Sequence, residues 1–142
     1  MTSDRIARDY LRSAQARRLA LEALRRAGAH PDVVREGQEV VELVLKGTLR
    51  FIGVDPPKRH DVHGVLRRIL DRLPAEWRDG LGEMEEALSR LVRERASAFY
   101  GDEEESVPAS DLFGEEDARR ALGVVDRLLG MYERLLAREG HS

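Results

Sequence analysis

The chain contains no cysteine and no asparagine, only two glutamines (Gln15 and Gln38), and only two lysines (Lys46 and Lys58) among its 24 basic residues. Without cysteine there can be no thiolate nucleophile, no disulfide and no Cys-based zinc site. The same absence fits a reducing compartment. No apolar run approaches the roughly 20 residues that a membrane span needs. The opening "MTSDRIARDY" lacks the apolar core of a signal peptide. A soluble, cytoplasmic protein is the expectation. Scarcity of thermolabile amides fits a thermophile, although a GC-rich genome would favour arginine equally well. Sustained strand alternation is missing, as are a phosphate-cradling Gly-rich loop and a Ser-His-Asp arrangement.

What remains is helical. The 142 residues suit one domain, 1–142, and a chain of this size buries about two-thirds of the surface its unfolded form exposes. The formal net charge of −3 argues against DNA binding. Its distribution is uneven: residues 1–71 carry 14 Lys and Arg against 10 Asp and Glu, and residues 72–142 carry 10 against 17. Acid is densest between Asp102 and Asp117, in a stretch that reads as a solvated loop.

Apolar periodicity predicts a first helix from about Asp4 to Ala27, ended by Gly28. A second runs from Pro31 to about Ile52, ended by Gly53. A third, capped by Asp61, carries Val62, Val65, Leu66, Ile69 and Leu73. A fourth spans about Ala75 to Phe99 with Trp77, Leu81, Met84, Leu88, Leu91 and Phe99 on one face. A fifth opens with the acidic "GEEDA", which suits the positive end of a helix dipole. Five amphipathic helices with mostly short connections make an all-α, up-and-down antiparallel bundle.

The second helix is unusual. Val33, Val34, Val40, Val41, Val44, Leu45, Thr48, Leu49, Phe51 and Ile52 cover about two-thirds of its girth, more than an ordinary surface helix buries. Such a helix is either central to its bundle or buries a further face against another subunit. A thin polar line, Arg35, Gln38, Glu39, Glu42, Lys46 and Arg50, fills the rest. Read plainly, that line is a solvated edge with Glu42 and Lys46 paired one turn apart. Alternatively, Glu39, Glu42 and Lys46 wall a cleft for a polar ligand or a partner chain.

The stretch "EGQEVVELVLKGTLRFIGVDPPKRHDVHGVL" resembles the pattern of HEPN domains, as do the "ASAFY" ending of the fourth helix and the "GEEDARRAL" opening of the fifth. The resemblance implies a helical bundle, usually a homodimer. It implies in many members a complex with a small nucleotidyltransferase, and in others a metal-independent ribonuclease, often a toxin, that uses an Arg-x(4–6)-His motif late in the bundle. No cofactor is expected, and a zinc site on His60 and His63 would need further ligands that the sequence does not place.

That motif is incomplete here. Arg95 is followed after four residues by Tyr100, and no histidine occurs between His63 and His141. The group best suited to proton transfer near neutral pH is therefore missing, which argues against ribonuclease activity. Arg25 and His30 match the spacing but straddle Gly28 in the wrong part of the chain. His60 and Asp61 match the family's "HDV" element and read as structural, His60 pinning the Pro-Pro loop and Asp61 capping a helix.

Arg95 falls in the middle of an apolar face. It either pairs with Glu39 or Glu42, or points into a groove and binds a phosphate-bearing ligand. The reading that follows is a non-catalytic HEPN protein, dimeric, partnering a small nucleotidyltransferase or binding a nucleotide-like ligand, in a toxin–antitoxin type module. Its candidate residues are Arg95, Tyr100, Glu39, Glu42, Lys46, His60 and Asp61. A degenerate ribonuclease and a purely structural dimeric bundle are the alternatives.

Overall fold

The computed structural model describes residues 4–58 and 62–139. Helix α1 spans Asp4–Arg26 and α2 spans His30–Phe51. The predicted stops hold for the predicted reason. Gly28 and Gly53 adopt φ of 73° and 85°, a region open to glycine at no steric cost. In each case the residue after the glycine reaches back five positions: Ala29 N–H donates to the Leu24 carbonyl at 3.0 Å, and Val54 N–H to the Leu49 carbonyl at 2.8 Å. These bonds satisfy carbonyls that a helix end leaves open.

The remainder of the chain runs through α3 (His63–Arg67), a 3₁₀ turn (Leu70–Arg72), α4 (Ala75–Glu83), α5 (Glu85–Tyr100), α6 (Ala109–Leu112) and α7 (Glu115–Glu139). Two predicted helices are therefore broken. The third, expected to continue to Leu73, gives way to the 3₁₀ turn, and Leu73 is extended at φ −114°, ψ 156°. Pro74 follows it and disfavours the helical region for the residue before it. The fourth is interrupted at Met84, whose ψ of 3° leaves the helical range. Gly80 and Gly82 lie in the turn before it, each costing roughly 1 kcal/mol of helix propensity relative to alanine. The expected long loop after α5 contains the short α6. The cap predicted for Asp61 lies outside the described residues.

Helix α2 is the centre of the bundle, packed by α1, α5 and α7. Its buried residues include every member of the predicted apolar arc except Ile52, which is partly exposed. Gln38 and Glu42 of the polar line are buried as well. The wide apolar girth is thus consumed within one chain. Helix α1, by contrast, buries Ala7, Ala14 and Leu21, a narrow stripe with a seven-residue repeat.

One point locks three helices together. Gly47 of α2 lets Tyr132 of α7 approach so closely that a Cβ at position 47 would lie 2.7 Å from its Cζ. The buried Tyr132 hydroxyl donates to the Ala7 carbonyl of α1. Around this contact, Arg18 binds Asp126, Gln15 donates to Glu133 at 3.0 Å, and Arg127 reaches Glu83 of α4 at 2.6 Å.

Candidate functional site

The polar line of α2 does not face open solvent. It runs along the seam with α5, and the two helices meet there in antiparallel register. Arg35 lies over the ring of Phe99, its guanidinium carbon 4.2 Å from the centroid. One turn further along α2, Glu39 meets Arg95, one turn back along α5. Nε and Nη2 of Arg95 donate to the same Glu39 oxygen at 3.1 and 2.7 Å. Both side chains are about 30% exposed (31% and 29%). Arg95 therefore lies at the margin of the apolar face between Leu91 and Ala98, not in its middle, and water reaches one side of the pair.

Glu42 lies one turn beyond. It is buried, and Lys46 approaches it at 3.2 Å. The expectation of a solvated edge thus fails for Glu42, which is buried. The Glu42–Lys46 pairing itself matches the spacing. Glu39, Arg95, Glu42 and Lys46 form a run of two ion pairs along one seam.

Tyr100 stands apart at the tip of α5. It is 63% exposed and meets Phe99 edge-to-face at 4.5 Å between centroids. Phe99 was expected on the apolar face. It is instead 50% exposed, held by Arg35 and Tyr100 at the rim. The cation–π contact of Arg35 was not anticipated from the sequence. Its signal is the matched i, i+4 spacing of Arg35 and Glu39 on one helix and of Arg95 and Phe99 on the other.

His60 and Asp61 lie outside the described residues. Their neighbour His63 is buried, with Nε2 3.4 Å from the Ser89 hydroxyl and 4.0 Å from Glu85. The Arg25–His30 spacing match has no catalytic geometry behind it. Arg25 is engaged with Glu22 inside α1, and His30 opens α2.

Shifted ionisation marks other parts of the bundle. Glu22 is drawn down to about 2 by its hydrogen bond from Arg25, with Arg26 contributing. Burial pushes the Tyr132 phenol well above its ordinary range. Neither group belongs to the α2–α5 seam.

The HEPN domain model matches residues 7–135, nearly the whole chain. The chain belongs to the HEPN domain family. No curated protein and no solved structure matches it. As an HEPN domain it has the all-helical fold that the family shares. Among its described residues no helix is long and apolar enough to cross a membrane. This HEPN domain carries at the end of α5 an arginine already bonded to a carboxylate, and an exposed tyrosine five residues after it.

Proposed function

We propose that this HEPN domain is non-catalytic and acts by docking: it dimerises and partners a small nucleotidyltransferase, in a toxin–antitoxin type module. The observation that carries the reading is the engagement of Arg95 by Glu39 together with Tyr100 at the place where the ribonuclease motif has histidine. A phenol is a poorer proton-transfer group at neutral pH than an imidazole. A guanidinium already paired with Glu39 has less charge and fewer N–H donors to offer a scissile phosphate.

The same pairing ranks the binding options. A nucleotide phosphate at Arg95 would have to displace Glu39 and leave that carboxylate half-buried beside an anion. Docking of a protein partner needs no such exchange, and the half-exposed Phe99 and Tyr100 supply the kind of aromatic anchors that protein interfaces favour. The girth of α2 no longer argues for the dimer, since α1, α5 and α7 cover it. The dimer reading rests on the family resemblance and on the exposed aromatic tip.

The test has three measurements. Purified protein incubated with RNA in EDTA should leave it intact. Cleavage that disappears in Arg95→Ala would overturn the non-catalytic reading. Sedimentation at micromolar concentration should give about twice the 16.1 kDa chain mass. A clean monomer removes the dimer. The gene neighbourhood should contain a small nucleotidyltransferase whose product forms a stoichiometric complex with this chain on titration, and the absence of either removes the partner.

A further inference from the structure

Behind the tip of α5 the chain makes a tight hook. Gly101 ends the helix at φ 75°. Asp102 and Val107 then exchange two backbone hydrogen bonds of 2.8 and 2.9 Å. Inside the hook the Asp102 carboxylate accepts the Glu105 N–H at 3.1 Å. The four acids Asp102, Glu103, Glu104 and Glu105 are all exposed, and among the described residues none of them forms an ion pair.

That is unlike the acids of α7 just downstream. There Arg119 binds both Glu115 and Glu116, and Arg120 binds Asp117. The acids of the hook leave their charge unspent. Asp102, Glu103 and Glu104 line an open depression of about 590 Å³ together with Ala96, Ser97, Tyr100 and Leu112, and Glu105 follows them in the hook. Leu112 is 41% exposed, so it joins Phe99 and Tyr100 as a third uncovered large apolar side chain at this end. Arg93 also borders the depression, but its guanidinium contacts Glu86 at 3.2 Å.

We propose that the aromatic tip of α5 and the acidic hook form a docking surface for a basic segment with apolar anchors, carried by a partner protein. The segment's apolar side chains cover Tyr100, Phe99 and Leu112 while its cations meet the four carboxylates. The hook's internal bonds fix its backbone and the Asp102 carboxylate before binding, so little backbone entropy is lost on association. Complementary charge steers the encounter and rejects acidic competitors. Nucleic acid is the wrong sign for this rim. The inference rests on the docking reading above and adds the chemistry of the contacting segment.

The test is a fluorescence anisotropy titration of the full chain with three synthetic helical peptides. One carries a lysine face and a leucine face, the second has glutamate in place of lysine, and the third has serine in place of leucine. Saturable binding is expected for the first alone, weakening as salt is raised. E103K/E104K/E105K, which changes only exposed side chains, should weaken it at least tenfold, as should F99S/Y100S. An equal charge change elsewhere on exposed acids, D4K/D71K/D79K, should alter it less than twofold.

Absent binding, or an equal loss in that control, would overturn the proposal by reducing the effect to generic attraction. Preference for the acidic peptide or for a single-stranded oligonucleotide would also overturn it. Unchanged binding by F99S/Y100S would remove the aromatic anchors and with them this site. The peptide titration needs no nucleotidyltransferase. Peptide binding without the enzyme complex therefore sinks only the earlier partner, and the complex without peptide binding sinks only this surface.

Discussion

Helices α2 and α5 face each other along one seam, yet they spend their apolar residues in opposite ways. In α2 only Asp32 is exposed, and even Gln38 and Glu42 are covered. In α5 burial is confined to Leu88, Leu91 and Ala98, and its last two residues, both aromatic, reach into solvent. The number of apolar residues in a helix is therefore a poor guide to where a partner would sit. A girth that is apolar all round marks a central position. Large side chains left uncovered at the end of an otherwise ordinary helix mark a surface with something still to bury.

The contrast can be broken most sharply by matched truncations. Leu49→Ala in α2 removes a side chain with no solvent exposure and should cost about 2–5 kcal/mol. Phe99→Ala should stay within about 1 kcal/mol, since the ring is half in water and loses chiefly its cation–π and edge contacts. Denaturant melts of the two variants decide it. Equal losses would mean that α5's tip is as structural as α2's core.

Next in size is Gly47→Ala. The added methyl meets the Tyr132 ring, and relief requires α2 and α7 to separate. A loss of about 1–3 kcal/mol is expected from overpacking of this kind. Tyr132→Phe should then restore part of that loss, because the hydroxyl is the atom that a Cβ at position 47 meets first. A neutral Gly47→Ala would show that the three-helix lock has slack.

Smaller still is the seam pair. Glu39→Ala, Arg95→Ala and the double variant form a cycle whose coupling energy should be about 0.5–1 kcal/mol, the range of partly solvated ion pairs. A thermal melt of each gives it. A coupling several times larger would mean that the pair is effectively sealed from water. In Arg95→Ala the melting temperature should fall modestly, and nucleotide titration should remain flat before and after.

The smallest effect concerns acid. Glu22 ionises at about 2 when folded, against 4.5 as its ordinary value, because Arg25 hydrogen-bonds its carboxylate. The folded pKa is depressed, so the contribution is present above pH 4.5 and is lost as pH falls through about 2. Glu22→Gln should flatten the acid limb of stability between those two values. It should leave the melt at pH 7 close to the wild type apart from the lost pair. An unaltered acid limb would show that Glu22 is not tied in solution.

The helical class and the stops were legible because their causes are local, whereas the count was not: five helices were expected and the described residues form seven. Gly28 and Gly53 end helices through their own backbone freedom, and the acids of "GEEDA" mark the start of α7. The break at Met84 was not, since two glycines weaken a helix without saying where packing will exploit them. The seam was half legible. The spacing of Glu42 and Lys46 foretells their pairing, and the placement of Arg95 on an apolar face narrowed its partners to Glu39 and Glu42. Which of the two it takes depends on the antiparallel register of α2 and α5, a tertiary fact. Phe99 was misread for the same reason: a wheel assigns faces but not the point along a helix where its neighbour ends. The unspent charge of Asp102–Glu105 is visible only once the hook's neighbours are known.

The lock between Gly47, Tyr132 and Ala7 also sets an order of assembly. Helix α2 lies early in the chain, yet a large part of its apolar surface is closed by α7, the last helix described. During synthesis the valines and leucines of α2 therefore wait until the chain has been made through α7 before their lid exists. Helix α1 can cover one flank at once, but the other stays open to any passing apolar surface. Nascent chains cut short before α7 should be the most aggregation-prone species this sequence produces, and ribosome-bound intermediates of that length are where a chaperone would find its target.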